Sequence, residues 1–570
     1  MKRIIVTVLL GYLWFSSTST MSAPILEGER FQTVQGTNGM VVTSHFLATR
    51  SALEVLQKGG NAIDAAVTAA FTLAVVQPRS GNIGGGGFML VSSAKDNQVY
   101  AIDYREKAPL AATEDMFLQE DGEADANLSR YSHLAAGVPG TVAGLALALE
   151  KFGTISLEQA LAPAIILARE GFVVSPRFSE GIRSKAKRLK QWSSTKKVFF
   201  KDDGSIYEPG ERFIQKDLAA TLQRISDHGS SEFYQGTTAR LLVAEMKRHG
   251  GLITMEDMAA YSPVIRKPVS GSYRGFDVYS MPPPSSGGIH VVQLLNMLEG
   301  YPIAKLGHNS AKTIHLMAEA MKRAYADRSK YLGDEDFVEV PQRGLTAKRY
   351  AEKLRQSIDS NRATPSNTIL PDNPLPFESD ETTHFSIVDR YGNAVSNTYT
   401  INFSYGSGIV VDGAGFLLNN EMDDFSAKPG VPNAYGLIGG RANSIEPGKR
   451  MLSSMSPTIV KKAGEIFLVT GSPGGSRIIT TTLQVIMNVI DHGLNIQSAV
   501  SAPRIHHQWL PDELRLEEGI SPDTITLLEG MGHEVIQTSA MGAIQSILVT
   551  DGIMHGGADP RRSTSLAAGF

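Results

Sequence analysis

The chain has 570 residues, a formal net charge of −4, 42% hydrophobic and 20% charged residues, and no cysteine. This is an ordinary globular composition with ample material for a large core, and its mild acidity supplies no basic field for binding a nucleic-acid duplex. The absence of cysteine excludes disulfides, thiolate metal ligands and a cysteine nucleophile, which leaves Ser, Thr, Lys, Asp or Glu for covalent chemistry.

From the amino terminus, Lys2 and Arg3 precede an apolar run over residues 4–15 and a small polar stretch ending near Ala23. That order matches a signal peptide, residues 1–23, and the run is too short to span a bilayer core of about 30 Å. The mature chain is therefore expected outside the cytoplasm, periplasmic or secreted, without a membrane span. An uncleaved anchor is the alternative.

Residues 54–76 form an Ala-rich helical pattern broken at Gly59-Gly60, with Asn61 placed to cap the second helix. Glycines 84–87 precede a strand-like run. No GK[ST] follows them, so they indicate close backbone packing in place of a phosphate loop. Residues from roughly 140 to 370 read as mainly helical, with helical periodicity at 142–150, 157–170, 218–227 and 311–331. The basic stretch 183–201 is expected to be a solvated helix face. Residues 364–380 are polar and proline-rich, an exposed linker that tolerates cutting.

Strand-forming residues follow. Runs at 383–389 and 394–400 flank the turn Arg390-Tyr391-Gly392-Asn393, which predicts a hairpin. Symmetric closure about Tyr391 sets Thr382 beside Thr400. Further on, strands at 457–461 and 465–470 lead into a glycine loop, residues 471–476, and then an amphipathic helix expected to end with Gly493 at its C′ position. A glycine loop at a helix start offers free N–H groups to an anion, and without a Walker lysine a transient oxyanion fits better than a phosphate. The adjacent His506-His507 pair lacks helical zinc spacing, and residues 334–336 lack calcium-loop spacing. No metal and no cofactor are expected.

Several segments together resemble the gamma-glutamyltransferase family: DYREKAP at 103–109, ETTHFSIVD from Glu381, GNAVSNTYTIN ending at Asn402, FLLNNEMDDFS at 416–426, SSMSPTIV at 453–460 and GSPGGSRI at 471–478. The resemblance implies an α/β fold, the four-layer αββα sandwich of N-terminal-nucleophile hydrolases. It also implies self-cleavage at Glu381-Thr382 into a large subunit, residues 24–381, and a small catalytic subunit, residues 382–570, that together form one heterodimer. Thr382 would be the nucleophile, Thr400 its orienting partner, and the Gly474 and Gly475 amides the oxyanion hole. Arg105 with Ser453 and Ser454 resembles a carboxylate clamp, and Asn402, Glu421 and Asp424 resemble an ammonium site. Residues 428–440 resemble a bacterial lid with Tyr435 at its tip. The implied donor is glutathione or a related γ-glutamyl compound, and the acceptor an amino acid, a peptide or water; neither nucleic acid nor a membrane is an expected partner. A glutaryl or cephalosporin acylase on the same scaffold, or an inactive binding homologue, are the alternatives.

Overall fold

The computed structural model describes residues 32–371, 383–428 and 440–570. The signal-peptide pattern, the 381–382 cleavage point and Tyr435 lie outside the described residues. Among the described residues, no helix is long and apolar enough to cross a membrane.

Two antiparallel sheets of seven strands carry the fold. The first runs Leu566–Gly569, Gly39–Thr43, Thr383–Asp389, Ala394–Thr400, Gly86–Ser93, Gln98–Asp103, Val264–Arg266. The second runs Val34–Gly36, Ile553–Ala558, Gln545–Thr550, Glu465–Thr470, Thr458–Lys462, Phe276–Ser280, Val269–Tyr273. Alternation of side chains along each strand sorts the core into layers. Val41, Met89, Phe385 and Ile387 pack against the helices Phe46–Gln57, Ala62–Val76 and Leu157–Glu170. Their neighbours Met40, Val42, Phe88 and Val388 meet Ile459, Val469 and Ile547 of the second sheet. The outer side of that sheet, through Val278, Val460 and Leu468, packs on the helices Gly287–Leu298, Ala311–Tyr331 and Arg477–Ile490. The layering is helix, sheet, sheet, helix, as expected.

The hairpin closes in the expected register, Thr383 opposite Tyr399 and Val388 opposite Ala394. Asp389 holds its turn by accepting from the N–H groups of Tyr391 and Asn393. Asn61 caps the helix Ala62–Val76 in a reciprocal box with Asp64. The glycine run packs as expected: a Cβ on any of Gly84, Gly85, Gly86 or Gly87 would run into neighbouring backbone or side-chain atoms.

Three expectations need correction. The helical region contains the strands Val264–Arg266, Val269–Tyr273 and Phe276–Ser280, which edge both sheets. They are too short to interrupt a periodicity read over longer windows, although Arg274 and Gly275 turn the hairpin with positive φ. The helix Arg477–Ile490 is capped at Asp491, so Gly493 sits beyond its C′ position. The described part of the linker is anchored: Thr364 N–H donates to Glu319, Ser366 bonds to Asp512 through both N–H and hydroxyl, and the Trp509 indole donates to the carbonyls of Ser366 and Ile369.

Candidate active site

Arg105 follows the strand Gln98–Asp103, which leads its guanidinium into the interior. Its N–H donates to Asp103 and its carbonyl accepts from the Tyr261 hydroxyl, so the backbone is held from both sides. Gly86 leaves room for this segment, since a Cβ there would stand 2.5 Å from the Tyr104 carbonyl and from Glu106. Nε of Arg105 donates to the Met451 carbonyl at 3.2 Å and Nη2 to the Leu452 carbonyl at 3.1 Å.

Three carboxylates share this one guanidinium. Asp424 accepts from Nη2 in a short hydrogen bond, Glu421 Oε2 lies 3.0 Å from Nη1, and Glu106 Oε2 lies 3.5 Å from it. The turn Glu421–Asp424 that delivers two of them is fixed by asparagines. Asn419 accepts from the N–H groups of Gly137 and Glu421 and donates to the carbonyls of Gly84 and Gly137. Asn443 donates to the Asp424 carbonyl and accepts from Leu452 N–H, tying the acidic turn to the strip that binds Arg105.

The cluster holds more acids than its one base can pair. Burial pushes the Asp424 carboxyl well above its ordinary range, with Glu421 adding to the shift and Arg105 opposing it. Burial also raises Glu421 and Glu106, against the same arginine. Oε1 of Glu106, both oxygens of Glu421 and Oδ1 of Asp424 are buried without a properly aligned hydrogen-bond donor among the described residues. Buried acceptors left unmatched are costly in a finished core and are expected where a cationic ligand completes the set.

The other candidates surround this cluster. Thr400 ends its strand, accepts from Asn402 N–H at 2.7 Å, and lies near enough to favour the charged form of Glu421. Asn402 has φ of 65° and donates to the Asn420 carbonyl at 3.0 Å. Ser453 is pinned through its backbone: its N–H donates to the Pro284 carbonyl, and its carbonyl accepts from Ser286 N–H at 2.7 Å. Its hydroxyl accepts from Met455 N–H at 3.1 Å. Ser454 Oγ accepts from Arg328 Nη2 at 3.0 Å. Arg328 and Glu106 are buried neighbours that sequence reasoning missed. Glu106 stood in the quoted motif beside Arg105, whereas Arg328 lies on a helix with no local signal.

Gly474 and Gly475 precede the helix Arg477–Ile490, with φ of 132° and 67°. A side chain is strained there, and a Cβ on Gly474 would stand 3.1 Å from Gly542 Cα. Among the described residues, neither N–H donates to another group, while their carbonyls accept from the first helical N–H groups. The loop is therefore a preformed pair of donors at the positive end of a helix dipole. Tyr325 secures it by donating to the Ser476 carbonyl.

The family model described as Gamma-glutamyltranspeptidase matches residues 48–569. A glutathione hydrolase proenzyme of Escherichia coli (strain K12) is 51% identical over 575 residues, covering 100% of this chain and 99% of that protein. Among solved structures, cephalosporin acylase from Bacillus halodurans superposes with a TM-score of 0.86 at 29% identity, over 96% of this chain and 99% of that one. Helicobacter pylori gamma-glutamyltranspeptidase gives 0.58 at 48% identity, covering 60% of this chain and 97% of that one.

Proposed function

The chain belongs to the gamma-glutamyltranspeptidase family, and from that premise we propose how its groups carry out γ-glutamyl transfer and glutathione hydrolysis. Thr382 attacks the Glu381 carbonyl through its hydroxyl, giving an ester by N-to-O acyl shift that water hydrolyses. The product is a heterodimer of large and small subunits. The freed α-amine has a reference pKa of roughly 7.7 to 8.0, so a useful fraction is neutral near pH 7 and takes the proton of its own hydroxyl. Supporting this role, Thr382 immediately precedes the strand whose first residue pairs beside Thr400.

The overloaded Arg105 cluster carries the substrate assignment. A γ-glutamyl group presents an α-carboxylate and an α-ammonium side by side. Arg105 takes the carboxylate through its planar fork, with Ser453 and Ser454 flanking it. Asp424 and Glu421, helped by Asn402, take the ammonium with the oxygens that have no aligned donor. Binding splits an internal ion pair and replaces it with two to the substrate, so the zwitterion is selected over either charge alone.

Attack of Thr382 on the γ-carbonyl builds negative charge on its oxygen, which the N–H groups of Gly474 and Gly475 receive. Losing one such donor costs about 2.7 to 4 kcal/mol of transition-state stabilisation. Collapse expels the amine of the donor, protonated by the Thr382 ammonium, and leaves a γ-glutamyl ester. An amino acid, a peptide or water then releases it. Tyr435, within the segment 428–440, would close over the bound donor. Export to the periplasm accords with the amino-terminal pattern.

The test is to sequence the amino terminus of the small subunit. A start at Thr-Thr-His is expected for the wild type, and Thr382→Ala should remain a single uncut chain. Cleavage persisting in that variant would overturn the assignment of the nucleophile. An acylase on the same scaffold would prefer a glutaryl amide over γ-glutamyl-p-nitroanilide, because glutaryl lacks the α-amino group that Asp424 and Glu421 receive.

A further inference from the structure

Three ligand-type side chains converge at a place that γ-glutamyl transfer does not use. His133 opens the short turn His133–Ala135, while Glu245 and His249 stand one turn apart on the helix Thr237–His249. Oε1 of Glu245 lies 3.1 Å from His133 Nε2 and 3.5 Å from His249 Nε2, and the three atoms fall within 4.8 Å of one another. The two imidazoles stack with centroids 4.7 Å apart, and Trp192 packs edge-on against both. Gly251 makes the approach possible, since a Cβ there would stand 3.0 Å from His133 Cβ. Arg248 holds the other carboxylate oxygen, Oε2, at 2.8 Å. His133 and Glu245 are buried, and the His249 side chain is 35% exposed, which leaves a path from solvent.

We propose that His133 Nε2, Glu245 Oε1 and His249 Nε2 bind a divalent transition-metal ion of the zinc class, with a fourth position open to water. Zinc bonds nitrogen and carboxylate oxygen at about 2.0 to 2.2 Å, so a tetrahedral ion holds its ligand atoms roughly 3.3 Å apart. Two of the three separations already have that length, and the remaining one closes by turning the exposed His249 ring. Two imidazoles with one carboxylate suit zinc better than calcium or magnesium, which prefer oxygen alone. Arg248 directs the carboxylate by occupying Oε2, as an outer partner of a metal ligand does.

The ion links the helix Thr237–His249 to the turn that leads into Gly137 and Gly140, and these pack on Asn419 and Gly85 behind the Arg105 cluster. Spacing along the chain hides the site, since His133 lies 112 residues from Glu245.

The test uses the processed enzyme, stripped with a chelator, loaded with one equivalent of Zn²⁺, desalted and assayed for bound metal. One ion per heterodimer is expected. His249→Ala should weaken binding by more than about tenfold, the loss that even outer partners of a metal ligand bring. Its hydrolysis of γ-glutamyl-p-nitroanilide should be unchanged. His492→Ala, which alters a separate pair of histidines that meet edge to face, His308 and His492, should bind zinc like the wild type. His249→Cys should restore binding and, loaded with Co²⁺, show a thiolate charge-transfer band, which in a chain without cysteine can arise only from that position. No zinc retained by the wild type, equal retention in His249→Ala, or no such band in His249→Cys would overturn the proposal.

Discussion

Two buried polar regions lie close together in this molecule and obey opposite rules. Between the sheets, His384 bonds through one ring nitrogen to Thr398 Oγ1 at 2.8 Å and through the other to Ser386 Oγ at 3.1 Å. Ser386 donates in turn to the Gln545 carbonyl, and Ser396 to that of Thr470. The ring, hydroxyls and carbonyls of this chain of bonds are neutral and matched, and burial holds His384 down to about 3 so that it stays uncharged. Around Arg105 the groups are ionisable, three acids compete for one base, and acceptor oxygens have no aligned donor. The first region stitches two sheets together, whereas the second leaves buried acceptors unfilled, the feature on which the proposed donor site rests.

The difference is sharpest if the base is removed. Arg105→Met should cut kcat/KM for γ-glutamyl-p-nitroanilide by about 2 to 5 kcal/mol, from thirty-fold to several thousand-fold, because the donor carboxylate loses its partner and the three acids lose theirs. Activity within a few-fold of the wild type would show that the cluster does not hold the donor.

The neutral region should respond in stability and not in turnover. A Cβ at position 471 would stand 2.5 Å from the His384 ring. Gly471→Ala should therefore cost about 3 kcal/mol, the upper end for overpacking, read from denaturant midpoints, with kcat of the folded fraction retained. An unchanged midpoint would mean that the ring yields freely.

Acid separates the regions again. Folded His384 resists protonation down to about pH 3, while the unfolded chain takes up its proton near 6.5. Its contribution to stability is therefore full above 6.5 and falls as pH drops below it. Relative to the wild type, His384→Gln should gain about 2 kcal/mol between pH 6.5 and pH 5. A difference between the two proteins that does not change with pH would contradict a neutral, inaccessible ring.

The smallest effect is expected at Glu421. Its carboxyl is raised by burial, so the charged form costs stability above the ordinary value of 4.5, and that cost disappears below it. Glu421→Gln should raise the folding midpoint at pH 7 but not at pH 4. It should raise the donor KM by less than about fivefold, under 1 kcal/mol, since Asp424 still receives the ammonium. A larger KM effect would transfer the ammonium role to Glu421.

Legibility from sequence followed the range of the forces involved. The hairpin at 383–400 could be registered because its turn and alternation lie within eighteen residues, and Asn61 could be placed because a cap bonds only to the next turn. The loop 471–476 declared its donors through glycine alone. The strand Val264–Arg266 was missed because its partner is remote, Val264 pairing with Asp103, and the hairpin of Val269–Tyr273 with Phe276–Ser280 because its strands are too short to interrupt a periodicity read over longer windows.

The sequence by itself determined the alternation that layers the sheets, the turn that closes the hairpin, the glycines that admit positive φ, and the motif frame naming Arg105, Glu421 and Asp424. These are local properties, set by backbone sterics and hydrogen bonds between near neighbours. Only the tertiary structure decided that three acids would share one buried guanidinium, that Arg328 would reach Ser454, and that His133 would meet Glu245 and His249. Such meetings join segments a hundred to more than three hundred residues apart. Their energies depend on the burial and dielectric that the assembled fold creates, and no short stretch of chain carries either one.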